Sequence, residues 1–153
     1  MVDALILGYL AAPVLFAVAV FSYGVTRAPD RIQLATVCLF ACTLLYAAGA
    51  YSLATSESTT PAVGVALAAY AAILYVAVGA LAFNAKVWAW RVAVAAFGLH
   101  LLAGVFGAIR IFSLSGQARA ALLAYLAIGA VGLWAALHKG TRNAIRTVAS
   151  SEA

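Results

Sequence analysis

The chain has 153 residues, of which 67% are hydrophobic and 8% are charged. This composition excludes a water-soluble domain, which needs more polar surface, and it indicates an integral membrane protein. The formal charge of +5 does not indicate nucleic-acid binding, because the basic residues lie at helix ends and in short loops rather than on one basic face. We therefore expect the lipid bilayer, and not nucleic acid, to surround this chain.

Five apolar runs of about the thickness of a bilayer's hydrocarbon core follow one another along the chain. The first covers residues 4–23. It is long enough to span and has no basic flank before it, so we expect it to remain in the mature protein rather than to be a cleaved signal peptide. Residues 138–153 form a polar, basic tail that we expect to fray at its end. The other four apolar runs cover residues 32–54, 62–85, 87–109 and 120–137.

These runs predict an all-α fold, a single antiparallel bundle of five transmembrane helices without any further domain. The fifth run is short, so a four-span bundle with the segment after Arg110 on the membrane surface is the alternative. In the five-span arrangement seven basic residues fall on one side and two on the other. The positive-inside rule then places the N-terminus outside and the C-terminus inside, with the bacterial cytoplasmic membrane as the expected location.

Small residues recur at helical spacing on the third, fourth and fifth predicted helices. Because lipid tails are as apolar as leucine, transmembrane helices associate through close packing of such residues. There are more of them than one short bundle needs, so we predict that at least one stripe contacts another chain. The predicted helix-packing residues are Gly64, Ala68, Ala72, Gly104, Gly107, Gly129 and Gly132.

His100 lies near the middle of the fourth predicted span, on the helix face that also carries Ala96 and Gly104. This places the imidazole on the packing face rather than toward lipid. Polar side chains at a matching depth are few, and we predict a mid-membrane polar cluster of His100 with Thr43, Tyr46 and Tyr75.

Three interpretations of His100 remain open. It is a buried packing residue bonded to a hydroxyl or a carbonyl, a single axial ligand of a haem or (bacterio)chlorophyll, or a polar group on a solute pathway. His138 differs from His100 in depth by roughly 15 Å at the rise of an α-helix, so the two histidines cannot clamp one haem iron. Haem or a related pigment at His100 is therefore the one cofactor that the sequence leaves open.

Acidic side chains are missing from the predicted spans, because Asp3, Asp30, Glu57 and Glu152 all lie at termini or in loops. Ion-coupled transport and intramembrane hydrolysis usually need a carboxylate, or a nucleophile with a base, at membrane depth. We therefore expect no enzyme and no metal site. Two cysteines four residues apart, Cys38 and Cys42, are read as buried thiols.

The leading hypothesis from the sequence is a non-catalytic membrane subunit that packs by its small-residue stripes within a larger energy-transducing or transport complex. The alternatives are a homo-oligomeric channel or carrier for a neutral or apolar solute, and a pigment- or haem-binding protein that uses His100. Self-association or other membrane subunits are the expected partners. Lys139, Arg142 and Arg146 lie at helical spacing in the tail, where we expect them to contact lipid headgroups or to dock a partner.

Overall fold

A computed structural model describes residue 15 and residues 30–54, 61–109 and 116–151 of the chain. This part is all-helical. Its helices are α1 (Asp30–Ala54), α2 (Pro61–Asn84), α3 (Val87–Ala108), α4 (Gly116–Leu137) and α5 (Lys139–Ser151).

Four of these helices, α1 to α4, are long and apolar enough to cross a membrane. They coincide within a few residues with the last four predicted spans. The agreement includes the short fifth predicted span, 120–137, which corresponds to α4. The predicted first span, 4–23, lies outside the described residues except for Leu15, which is helical and exposed. The five-span count and the orientation therefore stay predictions.

The connection between α2 and α3 is a tight turn of two residues. Ala85 has a φ of 48°, the left-handed conformation that side-chain-bearing residues adopt at a cost of about 1–2 kcal/mol. Lys86 is extended and precedes the first turn of α3. The Ala85 and Lys86 N–H groups donate to the carbonyls of Leu81 and Ala80 at 3.3 Å. These bonds close the end of α2 and make α2 and α3 an antiparallel hairpin.

The core lies where α1 packs against α2 and α4, and α3 completes the bundle by packing against α4 and α2. Its largest fully buried apolar side chains are Ile32, Leu39, Leu74, Leu81 and Phe97. They come from α1, α2 and α3, so the hydrophobic centre joins three separate spans.

The α3–α4 contact uses the glycines that the sequence predicts for helix packing. A Cβ added at Gly132 would collide with the Phe97 ring, and one at Gly129 would lie 2.9 Å from His100 Cδ2. Cβ atoms at Gly104 and Gly107 would meet Tyr125 Cδ1 at 3.2 Å and Leu122 Cδ1 at 3.3 Å. This seam is therefore internal to the chain and is not available to another one.

The stripe on α2 has a different environment. Ala68 and Ala72 are exposed and Gly64 is half-buried, whereas α2 faces its own bundle with Ala71 and Leu74. Small residues at helical spacing thus form a contact inside the chain on α3 and α4, whereas on α2 they lie on a face that no other described part of the chain covers.

The basic tail is helical over Lys139–Ser151, and its last two residues, where fraying is expected, lie outside the described residues. Thr141 and Ile145 are buried, while Lys139, Arg142 and Arg146 are exposed. Thr141 Oγ1 donates to the Ala135 carbonyl at 2.7 Å. These contacts dock α5 as an amphipathic helix across the end of the bundle, with its basic face outward.

Candidate functional site

His100 is fully buried, with none of its surface exposed. Its Nε2 lies 2.9 Å from the Tyr125 carbonyl oxygen. Because a carbonyl only accepts, Nε2 must carry a hydrogen and donate. The Nδ1 atom lies 3.4 Å from the Tyr46 hydroxyl and accepts from it when the ring is neutral. A charged ring at this depth would cost several kcal/mol without a carboxylate beside it, so the geometry defines a neutral histidine with its proton on Nε2.

Tyr125 extends this arrangement into a directed chain. Its hydroxyl lies 3.2 Å from the Tyr46 hydroxyl. Since Tyr46 uses its own hydrogen toward His100, Tyr125 is the donor in this second bond. The Tyr125 ring also stacks on the imidazole, with centroids 3.5 Å apart and planes at 21°. One residue from each of α1, α3 and α4 is thereby joined in what we term the His–Tyr cluster: Tyr46, His100 and Tyr125.

Tyr70 of α2 borders the His–Tyr cluster without bonding to it. Its ring meets the Tyr46 ring edge-on, with centroids 4.9 Å apart. Its hydroxyl oxygen is buried and has no hydrogen-bond partner within the described residues. A buried hydroxyl without a hydrogen-bond partner costs about 1–3 kcal/mol. Within this region, Tyr70 is the tyrosine whose hydroxyl has no partner among the described residues.

Two residues of the predicted polar cluster lie elsewhere. Thr43 Oγ1 donates to the Leu39 carbonyl of its own helix at 2.8 Å, the usual way for a hydroxyl inside a helix to satisfy itself. Tyr75 is 64% exposed. It follows Tyr70 by five positions, about 140° around α2, so the two tyrosines cannot face the same neighbour. Of the predicted set, the structure brings together Tyr46 and His100.

The sequence analysis missed Tyr125 as a partner, although it lies at helical spacing with Gly129 and Gly132. That spacing placed it on the packing stripe and was the available signal. The closest partner of His100 is the backbone carbonyl of Tyr125. This contact could not be predicted from the sequence, because every residue type has a backbone carbonyl.

The surroundings of His100 bear on the ligand interpretation. Both ring nitrogens have partners, and the space beside the ring is taken by Tyr125 and by the backbone at Gly129. An iron or magnesium ion could bind this imidazole only if one of these hydrogen bonds broke. The glycines near His100 therefore serve to admit helix α4 itself. Among the described residues, no three metal-ligating side chains form a group.

Apolar grooves open on the sides of the described bundle, and two of them border residues discussed above. The larger, about 1000 Å³, lies between α1 and α2 and is lined by residues such as Phe40, Tyr51, Gly64, Ala68 and Ala72; we term it the α1–α2 groove. The second, about 730 Å³, lies among α1, α3 and α4 and reaches Cys38 and Tyr125.

Comparison of the chain with protein-family models, with curated proteins and with solved structures gives no match. Any functional assignment must therefore come from the geometry of the chain.

Proposed function

We propose that this protein is a non-catalytic integral membrane subunit that receives a transmembrane helix of a partner protein in the α1–α2 groove, within a larger energy-transducing or transport complex. The observation that carries the proposal is the stripe of Gly64, Ala68 and Ala72, which lines this groove and is not covered by any other part of the chain that the structure describes.

Small residues at four-residue spacing are useful where two helix backbones approach closely. The α2 residues that are fully buried in the chain's own bundle, Leu74 and Ala77, lie on another face of the helix and do not line the groove. Flexible lipid chains cover any apolar surface equally well, whether its side chains are small or large. A second helix, in contrast, can pack more closely where the side chains are glycine or alanine. The groove thus has the chemistry of a helix-packing site.

We also propose five spans with the N-terminus outside and the C-terminus inside a bacterial cytoplasmic membrane. The start of α1, the α2–α3 turn and α5 carry most of the basic residues of the described chain, and the antiparallel order of the helices places all three at one end of the bundle. Positive charge collected at one end supports a cytoplasmic location for that end.

The proposal is tested by a matched pair of substitutions, Ala68→Leu and Ala69→Leu. Both alanines are exposed on α2, but only Ala68 lines the groove. Filling a helix contact with extra methyl groups costs about 1–3 kcal/mol, which weakens association by about 5- to 150-fold. Tagged protein from native membranes in a mild detergent should co-purify with partner subunits, and Ala68→Leu should release them while Ala69→Leu retains them.

The same samples give the outcomes that contradict the proposal. If the isolated wild-type chain is a monomer with no partner, and Ala68→Leu lowers its thermal stability, then the groove is filled by another segment of the same chain. If wild type yields only copies of itself, the rival interpretation as a homo-oligomeric channel or carrier replaces this one.

A further inference from the structure

The junction between α4 and α5 is a sharp bend at His138. The Gly140 backbone N–H donates to His138 Nδ1 at 3.1 Å. In the neutral ring the proton therefore lies on Nε2, which can donate to an acceptor. The Trp134 ring lies one turn earlier, with its centroid 5.8 Å from that of His138.

Arg31, at the start of α1, reaches the same place. Its guanidinium carbon lies 5.2 Å from the Trp134 ring centroid, a cation–π contact that orients the planar group. Its Nη1 atom is buried and has no hydrogen-bond partner in the part of the chain that the structure describes, while Asp30, the acid next to it in sequence, is exposed. A buried cationic N–H without an acceptor is costly, and an anionic oxygen is its strongest acceptor.

Positive charge is in excess at this junction. Loss of water around the half-buried ring, and then repulsion from Arg31, Arg142 and Lys139, lower the pKa of His138. These cations come from two helices, Arg31 from α1 and Arg142 and Lys139 from α5. An anion bound among them would relieve their mutual repulsion.

An apolar slot of about 420 Å³ runs away from this cationic end along α3 and α4. Trp134 and His138 line it near the cationic end, and Leu101 and Ala130 line it farther along the helices. Ala130 precedes His138 by eight residues, which is about 12 Å along the helix. This length covers most of one leaflet of a hydrocarbon core roughly 30 Å thick, so the slot suits an acyl chain.

From this combination we propose a specific site for an anionic glycerophospholipid, whose phosphate is bound by Arg31 and His138 and one of whose acyl chains lies in the slot along α3 and α4. A tryptophan and cations at the end of a span are the side chains that proteins place at the level of lipid headgroups. The site is distinct from the α1–α2 groove and stands independently of the proposed function.

The test is native mass spectrometry of the detergent-purified chain with equal amounts of phosphatidylglycerol and phosphatidylcholine. Wild type should retain phosphatidylglycerol about tenfold more strongly, as expected for one charge-assisted contact. Arg31→Gln should remove this preference, and Arg146→Gln should keep it, since Arg146 is an exposed cation on the outer face of α5. Arg31→Lys should lose most of it because lysine lacks the planar fork.

A second pair of variants tests the slot without touching a charge. Ala130→Phe fills the slot, whereas Ala127→Phe alters another exposed alanine of α4, which does not line the slot. We expect at least a fivefold loss of bound phosphatidylglycerol in the first and no loss in the second. This pair decides the question if Arg31→Gln does not fold.

Three results would overturn the proposal. Equal retention of the two lipids would exclude a site for anionic headgroups, and equal loss in Arg31→Gln and Arg146→Gln would show diffuse attraction to the basic end. Thermal stabilisation of the chain by millimolar inorganic phosphate as large as that by phosphatidylglycerol would show that a soluble anion, and not a lipid, is the ligand.

Discussion

Helices α3 and α4 approach each other closely at Gly132, and a substitution there provides the sharpest test of the fold. A methyl group added there would meet three atoms of the Phe97 ring, among them Cδ1 at 2.8 Å. Phe97 is fully buried, so its ring cannot swing into lipid to make room. We predict that Gly132→Ala destabilises the protein although alanine is the better helix former.

The magnitude follows from two opposing effects. Replacing a glycine in a helix by alanine gains about 0.5–1 kcal/mol, whereas overpacking a filled core costs about 1–3 kcal/mol. The net expectation is a loss of about 1 kcal/mol, and of at most about 2.5 kcal/mol. Gly79, which lies inside α2 five residues before its end, is the control because a Cβ added there would meet nothing within 4 Å. Gly79→Ala should therefore gain about 0.5–1 kcal/mol.

Equilibrium unfolding in mixed micelles of a mild detergent and sodium dodecyl sulfate would measure both values. The second check is a double-mutant cycle with Phe97→Leu, whose shorter side chain relieves the collision. The two substitutions should couple by at least about 1 kcal/mol, with the double variant more stable than the sum of the single ones. Equal effects of Gly132→Ala and Gly79→Ala, or additivity in the cycle, would refute the packing of α3 on α4 described above.

Tyr46→Phe should lower thermal stability by about 0.6–2 kcal/mol through loss of the bonds to His100 and Tyr125, whereas Tyr75→Phe, on an exposed face, should change nothing. His100→Leu should cost a similar amount and still insert; loss of a visible absorbance band would instead identify His100 as a pigment ligand. Because the lowered pKa of His138 makes the unfolded chain bind a proton at higher pH than the folded one, stability should be fully present above about pH 6.5 and fall on acidification. A melting-temperature series from pH 8 to 5 should show a smaller fall for His138→Asn.

The transmembrane helices could be predicted from the sequence because their signal is local. Apolar runs bounded by Pro61, Lys86 and the loop after Arg110 set the helix ends without reference to any neighbour. The helical spacing of Lys139, Arg142 and Arg146 allowed a helix in the tail, but the polar composition of the tail did not indicate that this helix packs against the bundle. Its order comes from contacts that only the folded chain supplies, such as the bond from Thr141 to the Ala135 carbonyl.

The side-chain contacts could be predicted only in part, because a periodic pattern gives a face and not its neighbour. His100 on a packing face was a prediction from spacing, and the structure buries it there. The stripes at Gly64 and at Gly132 have the same sequence character, yet Gly132 contacts Phe97 within the chain and Gly64 lines an open groove. The rotation of each helix about its axis decides between these outcomes, and it depends on the whole set of contacts.

The arrangement at His100 favours a register-fixing role for the His–Tyr cluster over a solute pathway. A side chain on a solute pathway must exchange its hydrogen-bond partners for the solute. His100 could do so only by giving up its bond to the Tyr125 carbonyl, and that carbonyl would then be left without a partner inside the membrane, which is costly. The bonds instead fix three helices at one relative height, which keeps Phe97 opposite Gly132. Loss of the His–Tyr cluster should then also affect contacts far from it, including those at the α1–α2 groove. If His100→Leu lowers stability and also weakens partner binding at the α1–α2 groove, the cluster positions the bundle for assembly, whereas an altered solute flux with unchanged stability would assign His100 to a pathway.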